Sequence, residues 1–205
     1  MHALKRLPDQ LFVACSGGVD SVVLAHFAKQ QRRDVTLAFF HHGNEFADVE
    51  EEFVIRFASE HDFPLIRAYC HEPVVGSKEK FWRDRRYDWF RSLPGQVAIG
   101  THLDDAVEWY LMTCLQGQGH YIEYQSANCV KPLLCTTKHE ITVYAAQQGL
   151  QHLTDPSNAN VAYTARNRVR HNIVPECLTI QPGLYNIVRK RIFEKTHGAR
   201  HAATE

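Results

Sequence analysis

The chain is 205 residues long and carries no formal net charge, with 44% hydrophobic and 22% charged residues. This composition is ordinary for a soluble globular protein, and the length predicts one domain with room for a small appendage. No apolar run approaches the ~20 residues of a membrane-spanning helix. The stretch Met1–Pro8 is too short and polar for a signal peptide, so we expect no membrane partner.

The cysteines are scattered along the chain, and no two of them form a CxxC pair. This spacing argues against a zinc ribbon or a thioredoxin-like redox centre. Scattered cysteines in a chain of this size favour a reducing compartment, so the predicted location is the cytoplasm. They stand at positions 15, 70, 114, 129, 135 and 177.

Up to Gln116, segments with strand periodicity alternate with segments of helix periodicity. The predicted elements are strand Leu11–Cys15, helix Val19–Gln31, strand Val35–Phe40, helix Asp48–Asp62, strand Leu65–Tyr69, helix Ser77–Leu93, strand Gln96–Gly100 and helix Asp104–Leu115. Such alternation is typical of proteins in which right-handed crossovers place helices on both faces of a parallel sheet. The sequence therefore predicts an α/β fold with a doubly wound parallel sheet.

Beyond Gln116 the pattern weakens, and the chain is predicted to be mostly helical. The predictions there are helix Lys138–Gln148 closed by Gly149, a loop over 151–162, basic helices Tyr163–Asn172 and Leu184–Lys195, and a break over Leu178–Gly183. Residues 1–165 carry 15 Lys and Arg against 20 Asp and Glu, whereas residues 166–205 carry 8 against 3. We therefore predict a body of residues 1–135 and a small basic helical extension, residues 136–205, packed on it. The basic end suits contact with a polyanion or is a solvated tail, and both stay open.

The most informative feature is the hexapeptide SGGVDS, residues 16–21, between the first strand and the first helix. Strand, glycine-rich turn and helix in this order build an anion site, because backbone N–H groups and the helix dipole face the anion. Gly17 and Gly18 let the backbone approach a phosphate closely. Ser16 and Ser21 add hydroxyl donors, and Asp20 suits a Mg²⁺ ion that also binds phosphate. The alternative is a serine-capped turn without a ligand; the sequence contains neither GxxxxGK[ST] nor GxGxxG.

A second motif, residues 102–108, directly follows the strand that ends at Gly100. Thr101 is the predicted N-cap of the next helix. Asp105 and Glu108 lie three residues apart on that helix and so face the same way. Such a pair beside a phosphate site suits Mg²⁺, a substrate ammonium or a catalytic base. The alternative is that these acids only favour the positive N-terminus of a helix.

Arginines form two further clusters, namely Arg83 and Arg86 with Tyr87, and Arg166, Arg168 and Arg170. The members of the first cluster share one helix face and suit phosphate, unless they are solvated arginines of a surface helix. The members of the second cluster stand at every second position, so they cannot all face one way on a helix. The second cluster suits pyrophosphate or nucleic acid, unless it is a charge cluster at a helix end.

The motifs are predicted to meet at one edge of the sheet, because ligands of open α/β sheets bind at the carboxyl ends of the strands. Four predicted loops follow those ends, namely Ser16–Ser21, Phe40–Glu45, Cys70–Gly76 and Gly100–Asp105. The phosphate motif, the acidic motif and the first arginine cluster each lie on or just after one of these loops. We therefore expect a single site.

Residues 11–177 together resemble the tRNA(Ile)-lysidine synthetase family, whose catalytic domain is that of the PP-loop enzymes, or N-type ATP pyrophosphatases. The residues that carry the resemblance are Ser16–Ser21; Phe40–Gly43; Glu79, Arg83, Arg86 and Tyr87; His102, Asp104, Asp105 and Glu108; Gly117 and Gly119; Pro132–Leu134; Glu140 and Ile141; and Asp155, Ser157, Asn158, Tyr163, Arg166, Asn167, Arg168 and Arg170. Many PP-loop enzymes share SGGxDS, whereas the acidic motif and the last arginine motif are much more specific. Ala106 stands where the family has glutamine.

The resemblance implies a Rossmann-like fold of the adenine nucleotide alpha hydrolase type, with residues 1–135 as a PP-loop ATP-binding domain. It implies that the wobble cytidine of an isoleucine tRNA attacks the α-phosphorus of ATP, pyrophosphate leaves, and the ε-amine of free lysine then displaces AMP. The implied ATP-binding residues are Ser16, Gly17, Gly18, Asp20, Ser21, His41 and His102, with Mg²⁺ on Asp20. The implied catalytic residues are Asp20, Arg83, Asp105 and Glu108, and the implied phosphate or RNA contacts are Arg86, Arg166, Arg168 and Arg170.

Two other functions stay open. A PP-loop enzyme of this kind could adenylate a different acceptor, such as another nucleoside, a small amide or a protein carboxylate. A nucleotide- or RNA-binding relative without catalysis is the second alternative, which Ala106 favours slightly and the intact SGGVDS opposes. A homodimer also stays open, since two copies would enlarge the footprint on tRNA.

Overall fold

The structure is a computed structural model that describes residues 3–43, 45–154 and 164–198. Its elements are β1 (Gln10–Ala14), α1 (Val19–Gln30), β2 (Asp34–His41), α2 (Glu45–Glu60), β3 (Leu65–Tyr69), α3 (Lys78–Ser92), β4 (Val97–Ala98), α4 (Leu103–Leu115), β5 (Gln125–Ser126), β6 (Cys129–Val130), α5 (Lys138–Gln147), α6 (Ala165–Arg168), α7 (Val174–Ile180) and α8 (Leu184–Gly198), with a π-helical segment (Val169–Ile173) between α6 and α7. Within those ranges, no helix is long and apolar enough to cross a lipid bilayer.

The described strands form one six-stranded sheet in the order β3-β2-β1-β4-β6-β5. The first five of these are parallel, and β5 pairs antiparallel with β6 at the edge. The longest registers run from Gln10↔Asp34 to Ala14↔Ala38 and from Leu37↔Leu65 to His41↔Tyr69. The predicted α/β fold with a mostly parallel sheet is therefore confirmed.

Strand alternation divides the apolar residues between two cores on opposite faces of the sheet. On β2, Leu37 and Phe39 belong to the larger core, whereas Ala38 packs on the other face with Phe90 of α3. The larger core also holds residues of α1, α2, α4, α5 and α8. Helices thus cover both faces, and the carboxyl ends of the parallel strands are left open at one edge.

The β5–β6 hairpin is the element that periodicity missed. Each strand has only two residues, too few to show an alternating pattern. The turn passes through Ala127 at φ 52°, a position where glycine or asparagine would have been the usual signal. The side chain of Asn128 holds the hairpin against the sheet, because it donates hydrogen bonds to the carbonyl oxygens of Phe90 and Gly95 at 2.8 and 3.0 Å.

The C-terminal helices differ from the prediction in a way that Pro175 explains. The described part of the predicted helix Tyr163–Asn172 is split between α6 and the π-helical segment, and α7 continues through Ile180. The break predicted over Leu178–Gly183 therefore begins too early, since only residues 181–183 separate α7 from α8. Proline lacks the N–H for an i→i−4 bond and clashes with that carbonyl, so a widened turn just before it relieves the conflict.

Helix α8 packs on α4 through its apolar residues. Leu184, Val188 and Ile192 are buried in the same core as Leu103 and Val107 of α4. Burial of several large aliphatic side chains contributes about 1.5–3 kcal/mol each. Helix α8 is thus held against the element that carries the acidic motif, and the division into a body of residues 1–135 and an extension of residues 136–205 stays a prediction.

Candidate active site

The SGGVDS loop has the geometry of an anion-binding turn. Gly17 adopts φ +81°, and a Cβ there would lie 2.8 Å from the ring of Phe53, so only glycine fits. Gly18 is the N-cap of α1 and brings no side chain to its first-turn N–H groups. Ser21 braces the loop, since its Oγ donates to the carbonyl of Gly18 at 2.9 Å and accepts from the N–H of Ser16 at 3.3 Å.

A cavity of about 210 Å³ opens beside this loop at the carboxyl edge of the sheet. Gly100 brings β4 against the loop, because a Cβ there would lie 3.0 Å from the backbone of Asp20. Three of the four predicted loops contribute to the wall, and the loop Cys70–Gly76 does not. The wall consists of Ala14, Cys15, Ser16, Gly18, Asp20, Ser21, Ala38, Phe39, Phe40, His42, Arg86, Tyr87, Phe90, Ile99, Gly100, Thr101 and Asp105.

Asp20 is paired with a lysine that the sequence reasoning missed. The Nζ atom of Lys138 lies 2.7 and 2.8 Å from the two carboxylate oxygens of Asp20. Lys138 is the first residue of α5, and its backbone N–H also donates to Asp104 at 2.7 Å. The available signal was a cation at a helix N-terminus, where the helix dipole disfavours positive charge and another reason for its presence is needed.

His102, and not the predicted Thr101, is the N-cap of α4. Its Nδ1 accepts from the N–H of Asp105 at 3.4 Å, and the Asp105 carboxylate accepts from the N–H of His102 at 3.1 Å. Its Nε2 lies 3.7 Å from Asp20 and 3.6 Å from Asp105, so His102 stands between the phosphate loop and the acidic motif. Burial alone would lower the pKa of His102, but the carboxylates of Asp104, Asp105 and Asp20 outweigh it and raise that pKa.

Asp104 faces away from the cavity and ties α4 to the extension. It accepts a hydrogen bond from the hydroxyl of Tyr185 on α8 at 3.0 Å, besides the one from Lys138. Burial alone would raise the pKa of Asp104, but His102 and these donors outweigh it and lower that pKa. Ala106 is fully buried in the core and does not line the cavity.

Asp105 and Glu108 face the same way, as predicted, and both form ion pairs with Arg166 and Arg170. Arg166 reaches Glu108 at 2.8 Å through Nε and Asp105 at 2.8 Å through an Nη. Arg170 reaches Glu108 at 2.6 and 3.1 Å. Arg168 is exposed and makes neither contact, so the predicted divergence of the three arginines is confirmed. Burial alone would lower the pKa of Arg166, but the two carboxylates outweigh it and raise that pKa.

Strand alternation places His42, and not His41, on the cavity wall. His41 bonds to Asp48 at 2.9 Å and to the N–H of Gly43 at 3.0 Å, on the other face of β2. Burial, followed by the positive charge of Arg86, lowers the pKa of His42 to about 4, so its imidazole is neutral at physiological pH. The alternation Ala38, Phe40, His42 separates the two histidines onto opposite faces of β2, and the packing of α3 decides which face borders the cavity.

On α3, Arg86 and Tyr87 line the cavity, whereas Arg83 does not. Arg83 is exposed and lies over the ring of Tyr87 at 5.6 Å, and Arg86 lies over the same ring at 6.0 Å. Arg86 is thus the arginine of the cavity wall, and the charge of Glu50 acts on it, whereas the acids of the wall, Asp20 and Asp105, are paired with cations from outside the wall. Asp155, Ser157, Asn158 and Tyr163 of the last motif lie outside the described residues.

The residues that border the cavity fit a magnesium ion that is shared with phosphate. Among the described residues, no group of three or more His, Cys, Asp or Glu side chains could hold a metal ion by itself. Mg²⁺ needs no such group, since one or two carboxylates suffice when phosphate and water oxygens complete its octahedron. Asp20 offers that carboxylate in the phosphate loop, because each of its oxygens accepts one bond from Lys138 and keeps a second lone pair. Asp105 lies on the other side of His102.

Sequence comparison identifies relatives that are longer than this chain. This chain is 30% identical to the tRNA(Ile)-lysidine synthase of Persephonella marina over 195 residues, and the aligned region covers 86% of this chain and 43% of that protein. It is 32% identical to the tRNA(Ile)-lysidine synthase of Bacteroides thetaiotaomicron over 196 residues, which are 87% of this chain and 45% of that protein. The chain thus spans less than half the length of these curated relatives.

Structure comparison supports the fold. The NMN synthetase of Francisella tularensis superposes with a TM-score of 0.56 at 11% identity, covering 94% of this chain and 87% of that one. The family model of the PP-loop domain matches residues 2–177. The resemblance predicted from SGGVDS and the acidic motif is therefore confirmed: the chain belongs to the PP-loop domain family.

Proposed function

We propose that this chain carries the catalytic site of an ATP-dependent, AMP-forming ligase that modifies tRNA. The observation that carries the proposal is the single cavity whose wall contains both the phosphate loop, with Ser16 and Asp20, and Asp105 of the acidic pair. A nucleotide with its phosphates on the loop would thus present its α-phosphorus close to carboxylates that can bind an amine. The names of the relatives support lysine transfer to tRNA(Ile) as the reaction.

The cavity suits ATP because its two ends differ in polarity. The free N–H groups at the start of α1 and the hydroxyls of Ser16 and Ser21 would hold phosphate oxygens. The apolar wall that includes Phe40, Phe90 and Ile99 would take the adenosine. Arg86 would neutralise phosphate charge from the opposite side. Asp20 would hold Mg²⁺, which supplies further neutralisation of the phosphates when bound.

The proposed reaction has two displacements. The carbonyl oxygen of the wobble cytidine forms a bond to the α-phosphorus, and the bond between that phosphorus and the bridging oxygen breaks to release pyrophosphate. The ε-amine of lysine, after losing a proton to a carboxylate such as Asp105, then bonds to the activated ring carbon while AMP leaves. Positioning and charge neutralisation by the loop, Arg86 and Asp105 would supply most of the rate enhancement.

The test is pyrophosphate release from ATP and Mg²⁺ by the full chain, with bulk tRNA and with or without radiolabelled lysine. We expect release that requires tRNA, and label in the RNA. Asp20→Asn should abolish both, whereas Asp88→Asn, an exposed carboxylate of α3, should change neither. Release with tRNA but without label would retain the adenylating enzyme and refute lysine, and absence of release under all conditions would refute the ligase.

The setting of the enzyme is part of the same proposal. All six cysteines are free thiols, which suits the reducing cytoplasm. A homodimer remains a prediction, and sedimentation equilibrium at micromolar concentration with and without tRNA would test it. A monomer in both conditions would refute it.

A further inference from the structure

The two negative charges of the acidic pair are already balanced by two guanidinium groups, although three of the four carboxylate oxygens could each accept one more hydrogen bond. Asp105 accepts from Arg166 at 2.8 Å with one oxygen and from the N–H of His102 at 3.1 Å with the other. Both oxygens of Glu108 accept from Arg166 or Arg170 at 2.6–2.8 Å. A primary ammonium brings three donors that need acceptors of this kind. Because no net negative charge remains in the pair to offset the cost of desolvating an ammonium, the amine gains affinity here only if at least one arginine leaves.

The arginines lie where a helix widens into a π-helical turn. Arg166 belongs to α6 and Arg170 to the π-helical segment, and these two run on into α7 as one continuous helical stretch over residues 165–180. π-helical turns are rare and concentrate at functional sites. Thr164 caps α6 at 3.0 Å, and Val169 anchors the segment in the core. The two side chains can thus change partners while the backbone stays docked.

Phosphate is the anion that can compete for these side chains. Guanidinium groups bind phosphate with two parallel hydrogen bonds, at least as well as they bind a carboxylate. Asp105, which both arginines contact, is itself part of the cavity wall beside the phosphate loop. The negative charge of Asp20 in that loop acts on Arg170 as well, so a phosphate bound there lies within electrostatic range.

We propose that Arg166 and Arg170 form a latch on Asp105 and Glu108 that a bound phosphate group releases, so that the pair accepts a primary amine only after phosphate is bound. The identity of the amine as lysine rests on the proposed function, whereas the latch does not. The phosphate belongs either to the nucleotide or to the RNA backbone. Arg168, on the same segment, takes no part in the latch.

The first test measures binding of radiolabelled lysine to the full chain by equilibrium dialysis. We expect at least a tenfold gain in affinity on adding either the α,β-methylene analogue of ATP with Mg²⁺ or tRNA, and the arm that produces it identifies the source of the phosphate. Arg166→Gln combined with Arg170→Gln should bind lysine at least tenfold more tightly than the wild type without any phosphate. Arg56→Gln, at an exposed arginine of α2, should bind like the wild type. Equal lysine affinity of the wild type with and without phosphate, or weaker binding by a folded double variant, would overturn the latch.

The second test needs neither lysine nor a double variant that folds. In the wild-type chain labelled with ¹⁵N-arginine, the Nε–H signals of Arg166 and Arg170 should be protected from exchange with water, and pyrophosphate, the methylene analogue or tRNA should move them. Single Arg→Lys variants assign the signals. Signals that move while no lysine binds would support the latch and refute lysine. Signals that stay unchanged with all three phosphate compounds would overturn the latch, whatever the enzyme's activity.

Discussion

Replacement of Glu108 by glutamine should destabilise the fold by a predictable amount. Glu108 is 3% exposed and accepts from Arg170 with one oxygen and from Arg166 with the other. Glutamine is neutral and turns an NH₂ group toward one guanidinium, so that contact is lost and the other becomes a hydrogen bond to an uncharged carbonyl oxygen. Such a contact is worth about 1.5–3 kcal/mol, and water reaches the arginine side chains, which are 41% and 32% exposed. We therefore expect a loss of about 2 kcal/mol.

For a chain of this length, that loss should lower the midpoint of thermal unfolding by about 4–8 °C. Differential scanning calorimetry of Glu108→Gln at neutral pH measures it. The matched control is Glu60→Gln, which removes an exposed ion pair with Arg56 at 3.9 Å and should shift the midpoint by less than about 2 °C. If the unfolding midpoint of Glu108→Gln equals that of the wild type, or if both variants lower the midpoint equally, the ion pairs of buried Glu108 with Arg166 and Arg170 do not stabilise the fold as argued.

Three further predictions concern other parts of the site. Gly17→Ala should destabilise the fold by about 1–3 kcal/mol, because alanine is strained at φ +81° and its Cβ meets a phenyl ring at 2.8 Å; urea unfolding measures it. Lys138→Ala should raise the KM for ATP about 10–100-fold in the pyrophosphate-release assay, because it removes the cation that lies on Asp20 beside the phosphate loop. Tyr185→Phe removes a donor that lowers the pKa of Asp104. A carboxyl group whose pKa is lowered in the folded state stabilises the fold at pH values above its unfolded pKa of about 3.9, and this stabilisation is lost as the pH falls through the folded pKa. The loss of stability in Tyr185→Phe, measured by urea unfolding, should therefore be full at pH 7 and shrink below about pH 4.

Each of these predictions has a result that contradicts it. Gly76→Ala shares a positive φ, +75°, but meets nothing within 4 Å, so it should cost less than Gly17→Ala, and equal costs would refute the steric reason. Lys138→Arg should recover most of the ATP affinity, whereas an unchanged KM in Lys138→Ala would exclude a role for this cation. A Tyr185→Phe deficit that is constant from pH 3 to pH 7 would show that the Asp104 charge is not involved.

The sequence was informative wherever one signal decided the structure. Gly17 after an apolar strand predicted the turn, because its positive φ and the close approach of Phe53 leave glycine as the only choice there. The three-residue spacing of Asp105 and Glu108 fixed their common direction, since a helix has 3.6 residues per turn. Both features are local, and tertiary packing did not override them.

The predictions failed where the decisive contact joins distant parts of the chain. Nothing near Asp20 indicates that Lys138, 118 residues later, lies on it. The choice between His41 and His42 depends on which face of β2 packs against α3, a fact of topology. The hairpin at β5 and β6 has strands of two residues, and it is stabilised by Asn128 rather than by any pattern of its own.

The same long-range contacts determine how the site is completed. Every described lysine or arginine paired with Asp20 or with the acidic pair comes from beyond residue 135, namely Lys138 on Asp20 and Arg166 and Arg170 on the acidic pair. The acids come from α1 and α4 of the body, so neither predicted part carries a charge-balanced site alone. Because an unpaired carboxylate in a half-buried cleft is costly, the helices of the extension are needed for the site as well as for the core. Substrate cations and phosphates then exchange partners with these side chains, and the net charge of the cleft changes less than it would around bare carboxylates.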